Sequence, residues 1–190
     1  MIDAAKLRIT LQGLDPAPWR EVEVPLSMTF QGLHDTIQAA FLWFDCHLWE
    51  FEFSGRRYGL PYDDGFDGEK VYNANIVRLT RLLDAGVTEF LYVYDMGDNW
   101  QHRIEVVDLF EAEKGSRLPR FINGQQRTPP EDVGGISGFE MFLEAMADPN
   151  HEEHDDLIDW YDGPFDHEDM EPHIIKIQMG RLANMRRPKK

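Results

Sequence analysis

Cysteine is almost absent. Cys46 is the single one in 190 residues, which excludes an internal disulfide and a multi-cysteine zinc site. A reducing cytoplasm is the expected compartment. No apolar run approaches ~20 residues, so no membrane-spanning helix is expected. The first residues, "MIDAAKLRIT", lack a basic segment followed by an apolar stretch and do not read as a secretory leader. Basic charge is scarce: 19 Lys and Arg stand against 35 Asp and Glu, a net charge of −16. Such a field repels phosphate backbones and argues against direct nucleic-acid binding. Between positions 128 and 175 there is no Lys or Arg at all, which leaves an acidic face suited to a basic protein partner or a cation. None of Ser27, Ser54, Ser116 and Ser137 sits in a Gly-x-Ser-x-Gly turn, and there is no glycine-rich phosphate loop.

A hydrophobic fraction of 42% is enough for a core, and the length fits one domain. We expect that domain over residues 1–180, followed by a basic, disordered tail over 181–190. "KLRITLQGL" and "REVEVP" alternate and predict a hairpin of two half-buried strands. Thr29 is placed to cap a helix carrying Leu33, Ile37, Ala40 and Phe41 on one face. "HLWEFEFSG" predicts a strand with Glu50 and Glu52 facing outward. The turn-rich residues 58–73 predict a surface excursion. A short helix ending at Gly86 follows, then two strands around "MGDN". Ser137 and Glu140 have capping-box spacing for a helix with Phe139, Phe142, Leu143 and Met146 on its buried stripe. Asn150 is placed to cap another helix, with residues 151–156 in its first turns. "HIIKIQM", just after Pro172, reads equally as strand or helix. The order predicts an α+β fold: a single-domain, roll-like antiparallel or mixed sheet with helices packed on it.

Three stretches concentrate chemistry. "YDMGDNWQH" supplies Asp95, Asp98, Trp100 and His102, either as a carboxylate and imidazole cluster or as an ordinary hairpin turn. "PPEDVGG" supplies Glu131 and Asp132, either with glycines that allow close approach of the backbone to a ligand or as a rigid Pro-Pro turn with acids favoured near the helix N-terminus. "HEEHDD" places His151, His154 and Asp155 at helical spacing, although it is not the His-Glu-x-x-His metalloprotease motif. The metal candidates are therefore Asp98, His102, His151, His154 and Asp155, and Glu131 is the candidate general base. Cys46 and His47 are adjacent, and in an extended strand they would point to opposite faces.

These motifs carry a family resemblance. The blocks "LRITLQGLDPAPWREVEVPLSMTFQGLHDTIQAAFLWFDCHLWEFEF", "FLYVYDMGDNWQHRIEV" and "LPRFINGQQRTPPEDVGGISGFEMFL" occur in the order found in the plasmid pRiA ORF-three-like family, which the chain resembles over most of its length. The resemblance implies an α+β roll and an association with plasmids and mobile elements. It supplies no established activity. Thr128 stands where many members have cysteine, which weakens any thiol mechanism at that position. Some members are labelled resolvase-like, but a recombinase needs an arginine cluster around its nucleophile, and the middle of this chain has none. The leading expectation is a non-enzymatic binding or interaction module. The alternative is a metal-dependent, hydrolase-like enzyme using Asp95, Asp98, His102, Glu131 and Asp132, with the hairpin carboxylates and imidazole on the metal and Glu131 as general base. A further alternative is a DNA-linked regulator acting through a partner protein.

Overall fold

A computed structural model describes residues 1–60 and 70–185. β1 (Ala4–Leu11) and β2 (Trp19–Pro25) form the expected hairpin, with Leu7 opposite Val22. Leu7, Ile9, Leu11, Val22 and Val24 are all buried, as their alternation requires. α1 (Phe30–Phe41) follows, and the Thr29 side chain accepts a hydrogen bond from the Gly32 amide. β3 (Trp49–Phe53), β4 (Arg56–Gly59), β5 (Val71–Asn73), α2 (Leu79–Asp84), β6 (Glu89–Tyr94), β7 (Trp100–Phe110) and β8 (Arg120–Gln125) come next. The chain then runs through α3 (Gly135–Ala147), α4 (His154–Tyr161) and α5 (Pro172–Met185).

The described strands make one eight-stranded sheet in the order β5-β4-β3-β6-β7-β1-β2-β8. Neighbours are antiparallel except for the parallel β4–β5 pair. This is the expected α+β fold with a mixed sheet. α1 links β2 to β3 and crosses the sheet on the way. Near its start, Phe30 lies 5.0 Å from the Phe51 ring of β3 and 5.4 Å from Tyr58 of β4. Near its end, Phe41 lies 5.0 Å from the His102 ring of β7. The diagonal delivers residues 43–48 to the end of the sheet where β6 turns into β7. Leu42 stops the helix in the left-handed conformation, φ 60°. Arg20 locks this corner. Its buried guanidinium donates to the carbonyls of Trp19, Ala40 and Gln125 and to Thr128 Oγ1, and burial lowers its pKa to about 10.

Several expectations change. Glu50 is buried rather than outward, with Oε1 3.5 Å from Arg57 Nη1. Ser137 does not cap α3. The N-cap is Gly134 at φ 93°, with no side-chain cap bond, because the turn into α3 needs a left-handed residue. α4 begins only at His154, so His151 precedes it and Asn150 is not its cap. Pro172 opens α5 instead of breaking it, since the first helical position has no need of an N–H. α5 continues to Met185 with Ala183 buried, so the first five residues of the expected tail belong to the fold. Residues 186–190 and the centre of the expected excursion, 61–69, lie outside the described residues. Among the described residues, no helix is long and apolar enough to cross a membrane.

Candidate metal centre

Three segments meet at the end of the sheet: residues 43–48, the β6–β7 turn, and the loop before α3. Asp95 opens the turn at φ 54° and Asn99 closes it at φ 56°. Asp95 Oδ1 accepts from the amides of Gly97 at 2.8 Å and Asp98 at 3.3 Å. The turn therefore depends on Asp95, whereas the sequence pointed to Gly97, Asp98 and Asn99. With Oδ1 occupied by the turn, Oδ2 faces His47 Nε2 at 3.5 Å.

Asp98 tethers the second loop to the hairpin, its Oδ2 accepting from the Gly134 amide at 3.2 Å. A Cβ on Gly135 would stand 2.9 Å from the Asp98 carbonyl, and Gly135 sits at φ 69°. The paired glycines let the loop approach the hairpin, where the sequence had suggested approach to a ligand. The tether sets Glu131 under residues 43–48. Glu131 Oε1 accepts from the Phe44 amide at 2.8 Å and from the Tyr94 hydroxyl at 2.9 Å. Its Oε2 is buried without a hydrogen bond and lies 3.7 Å from His47 Nε2. The Glu131 side chain is only 9% exposed. Asp132, at φ 58°, brings Oδ1 to 3.2 Å from the same nitrogen, and its side chain is 71% exposed.

Three carboxylates thus converge on one imidazole nitrogen, itself buried and without a hydrogen bond. An imidazolium Nε2–H serves one acceptor, and none of the three is aligned to receive it. The surplus negative charge and the spare oxygens on Asp95 and Glu131 suit a divalent cation between them. Cys46 flanks the cluster. Its amide donates to the Tyr94 hydroxyl at 3.2 Å, and its thiol pKa is raised by desolvation and by the carboxylates of Glu131 and Asp132. The Tyr94 hydroxyl is raised too, by burial and then by Glu131, so it stays a donor to that carboxylate.

Residues 43–48 are fastened from below. Asp45 Oδ1 lies 2.8 Å from His34 Nε2, and His34 Nδ1 lies 2.8 Å from the Tyr92 hydroxyl. The Asp45 amide donates to Gln38 Oε1 at 2.9 Å. Trp43 Nε1 donates to the Pro129 carbonyl. Beside the cluster lies a groove of about 1070 Å³, bordered by Leu42, Trp43, Phe44, Pro130 and Glu131.

Of the residues singled out from sequence, Asp95, Glu131 and Asp132 come together. Asp98 is structural. His102 points inward as expected, but inward is the core. It is fully buried between Phe41 and Trp43, each meeting its ring edge-on, and neither nitrogen has a hydrogen bond of good geometry. Trp100 is buried in the same core. His151, His154 and Asp155 are not among the described metal-ligand groups. His154 Nδ1 instead meets the Ala145 carbonyl at 2.7 Å, and His151 Nδ1 accepts from the Glu153 amide. The sequence reading set His47 aside and missed Tyr94. β3 begins at Trp49, so residues 46 and 47 are loop, and the alternation that would have separated Cys46 from His47 does not apply. Thr128, where relatives were expected to carry cysteine, receives the Arg20 guanidinium.

Comparison with known proteins agrees with the architecture. The chain is 37% identical over 155 residues to the uncharacterized protein y4hQ of Sinorhizobium fredii, covering 82% of this chain and 79% of that one. Its fold matches the crystal structure of MM3350 from Methanosarcina mazei Go1, a protein of unknown function. That match has a TM-score of 0.82 and 32% identity, and covers 91% of this chain and 97% of the other. Residues 3–173 match the family described as Plasmid pRiA4b ORF-3-like protein, and the chain belongs to that family.

Proposed function

We propose that this chain is a divalent-cation-binding protein, with the ion held by His47, Asp95, Glu131 and Asp132 at the β6–β7 end of the sheet. The observation that carries the reading is Glu131. Its side chain is nine-tenths buried, one oxygen is fully used by Tyr94 and Phe44, and the other faces His47 without a hydrogen bond. Burying a carboxylate oxygen without a hydrogen bond is costly, and a cation beside it removes that cost.

The sequence left the acidic surface open to a basic protein or to a cation, and the geometry favours the cation. It also exchanges the members of the sequence-based cluster: His47 replaces His102, and Asp98 becomes a tether. The exposed Asp132 leaves one side of the site open to solvent, beside the groove. An ion held there would supply Lewis-acid polarisation of a water or a carbonyl oxygen, the chemistry of metal-assisted hydrolysis.

Metal analysis of tag-free protein, with calorimetric titration of Mn²⁺, Zn²⁺ and Mg²⁺, tests the reading. One equivalent of at least one ion is expected, with a thermal shift that Asp132→Asn and Asp95→Asn diminish. Asparagine suits the left-handed backbone at both positions, so the variants remove charge and little else. At 100 times Kd, binding adds about 2.7 kcal/mol of stability, or about 5–10 °C in Tm for a chain of this size. Metal-free protein whose melting is unchanged by all three ions refutes the proposal.

A further inference from the structure

The donor set has a fifth member of a different kind. Cys46 Sγ, a ring nitrogen of His47 and a carboxylate oxygen of Glu131 lie within 4.8 Å of one another. His47, Asp95 and Asp132 form a second such group. The two groups share His47. Glu131 Oε2 also lies within 3.7 Å of the nitrogen that Asp95 and Asp132 surround. The two groups meet at His47, with the thiol on one flank and the aspartates on the other. In a tetrahedral site with bonds of ~2.0–2.3 Å, ligand atoms stand ~3.3–3.8 Å apart, the range in which Asp95 Oδ2 and Glu131 Oε2 stand from His47 Nε2, at 3.5 and 3.7 Å.

Resting on the metal reading above, we infer that Cys46 is a thiolate ligand, and that the site therefore takes a thiophilic or borderline ion of the Zn²⁺, Co²⁺ or Fe²⁺ class in preference to Mg²⁺ or Ca²⁺. Cys46 is exposed and not in a disulfide, and its Sγ shares a contact of 3.8 Å with the Tyr94 hydroxyl, so ions reach it without rearrangement of the core. Its backbone is fixed, because the Cys46 amide is held by the Tyr94 hydroxyl, which in turn holds Glu131. One phenol thus sets two donors at once. Hard cations prefer an all-oxygen shell, whereas thiolate and imidazole select the later divalent ions.

Titration with Co²⁺ separates this inference from the reading beneath it. The wild-type protein is expected to develop a near-ultraviolet sulfur-to-cobalt charge-transfer band that saturates at one equivalent. Cys46→Ser is expected to lose that band, keep visible cobalt absorption, and bind Zn²⁺ at least about tenfold more weakly. One equivalent of Zn²⁺ should slow alkylation of Cys46 in the wild type by a similar factor, while Mg²⁺ leaves it unchanged. This readout needs no variant. Stoichiometric Co²⁺ binding without the charge-transfer band, or alkylation unaffected by Zn²⁺, overturns the role of Cys46 and leaves the carboxylate site standing. No binding of Co²⁺, Zn²⁺ or Mn²⁺ overturns both.

Discussion

Replacing His102 with leucine should flatten the acid side of the stability curve. His102 is fully buried among Phe41, Trp43 and Tyr92. Desolvation lowers its pKa from 6.5 to about 3, only partly offset by the backbone of Tyr92 and Trp100. The native state therefore keeps the imidazole neutral at pH values where the unfolded chain has already bound a proton. Below the ordinary histidine pKa the unfolded state holds more protons, so stability falls as pH falls from 6.5 toward 3. The full penalty is about 5 kcal/mol, and the part already incurred at about pH 5.5 is ~1.4 kcal/mol. Urea unfolding of wild type and His102→Leu at about pH 7.5 and pH 5.5 measures it, at conditions where a chain of net charge −16 stays well charged. His34 and His167 are also lowered by burial, so the wild type alone will lose more than the His102 share. The wild-type loss minus the variant loss isolates the His102 share and should be ~1.4 kcal/mol. At the higher pH the variant should be about as stable as the wild type or more so, since leucine removes a buried polar ring with no well-formed hydrogen bond. Parallel pH dependences in the two proteins would refute the burial argument.

Other perturbations test the scaffold around the cluster. Tyr94→Phe removes the hydroxyl that holds both Glu131 and the Cys46 amide; calorimetry should show metal affinity reduced about 10–100-fold, with stability lowered by only ~1 kcal/mol. Gly135→Ala introduces a Cβ against the Asp98 carbonyl at a left-handed position and should cost ~1–3 kcal/mol in denaturant unfolding. Arg20→Met leaves the carbonyls of Ala40 and Gln125 without their buried donor and should cost about 3 kcal/mol or more by the same assay.

The fold was legible because its signals are local. Alternation marks β1 and β2, and Thr29 fills a cap that three residues suffice to define. Glu50 was misread because the alternation rule assumes that one face of a strand meets water. That face does meet water at Glu52, but Arg57 of β4 lies over Glu50 at 3.5 Å and buries it. The site was half legible. Asp95, Glu131 and Asp132 stand in motifs dense with acid, but His47 and Tyr94 carry no such mark. Whether His47 meets three carboxylates depends on where α1 ends and how far residues 43–48 reach, and both are tertiary facts. His102 shows the converse: its inward direction was correct, yet periodicity gives a side chain's direction without saying whether a site or a core waits there.

The hairpin turn and the proposed site are not rival explanations of the same residues. Each buried carboxylate is divided between them. Asp95 gives Oδ1 to the turn amides and keeps Oδ2 toward His47. Glu131 gives Oε1 to Tyr94 and Phe44 and keeps Oε2 toward the same nitrogen. A carboxylate held at one oxygen cannot rotate away, so the structural bonds pre-organise the free oxygens and reduce the entropy lost on binding. An Asp95→Asn variant makes this division measurable. The amide retains Oδ1 for the turn and presents NH₂ in place of Oδ2, so the fold should remain while the cation is lost. A protein that unfolds on this change would show that the turn needs the charge itself. One that keeps full metal affinity would show that Oδ2 is not a ligand.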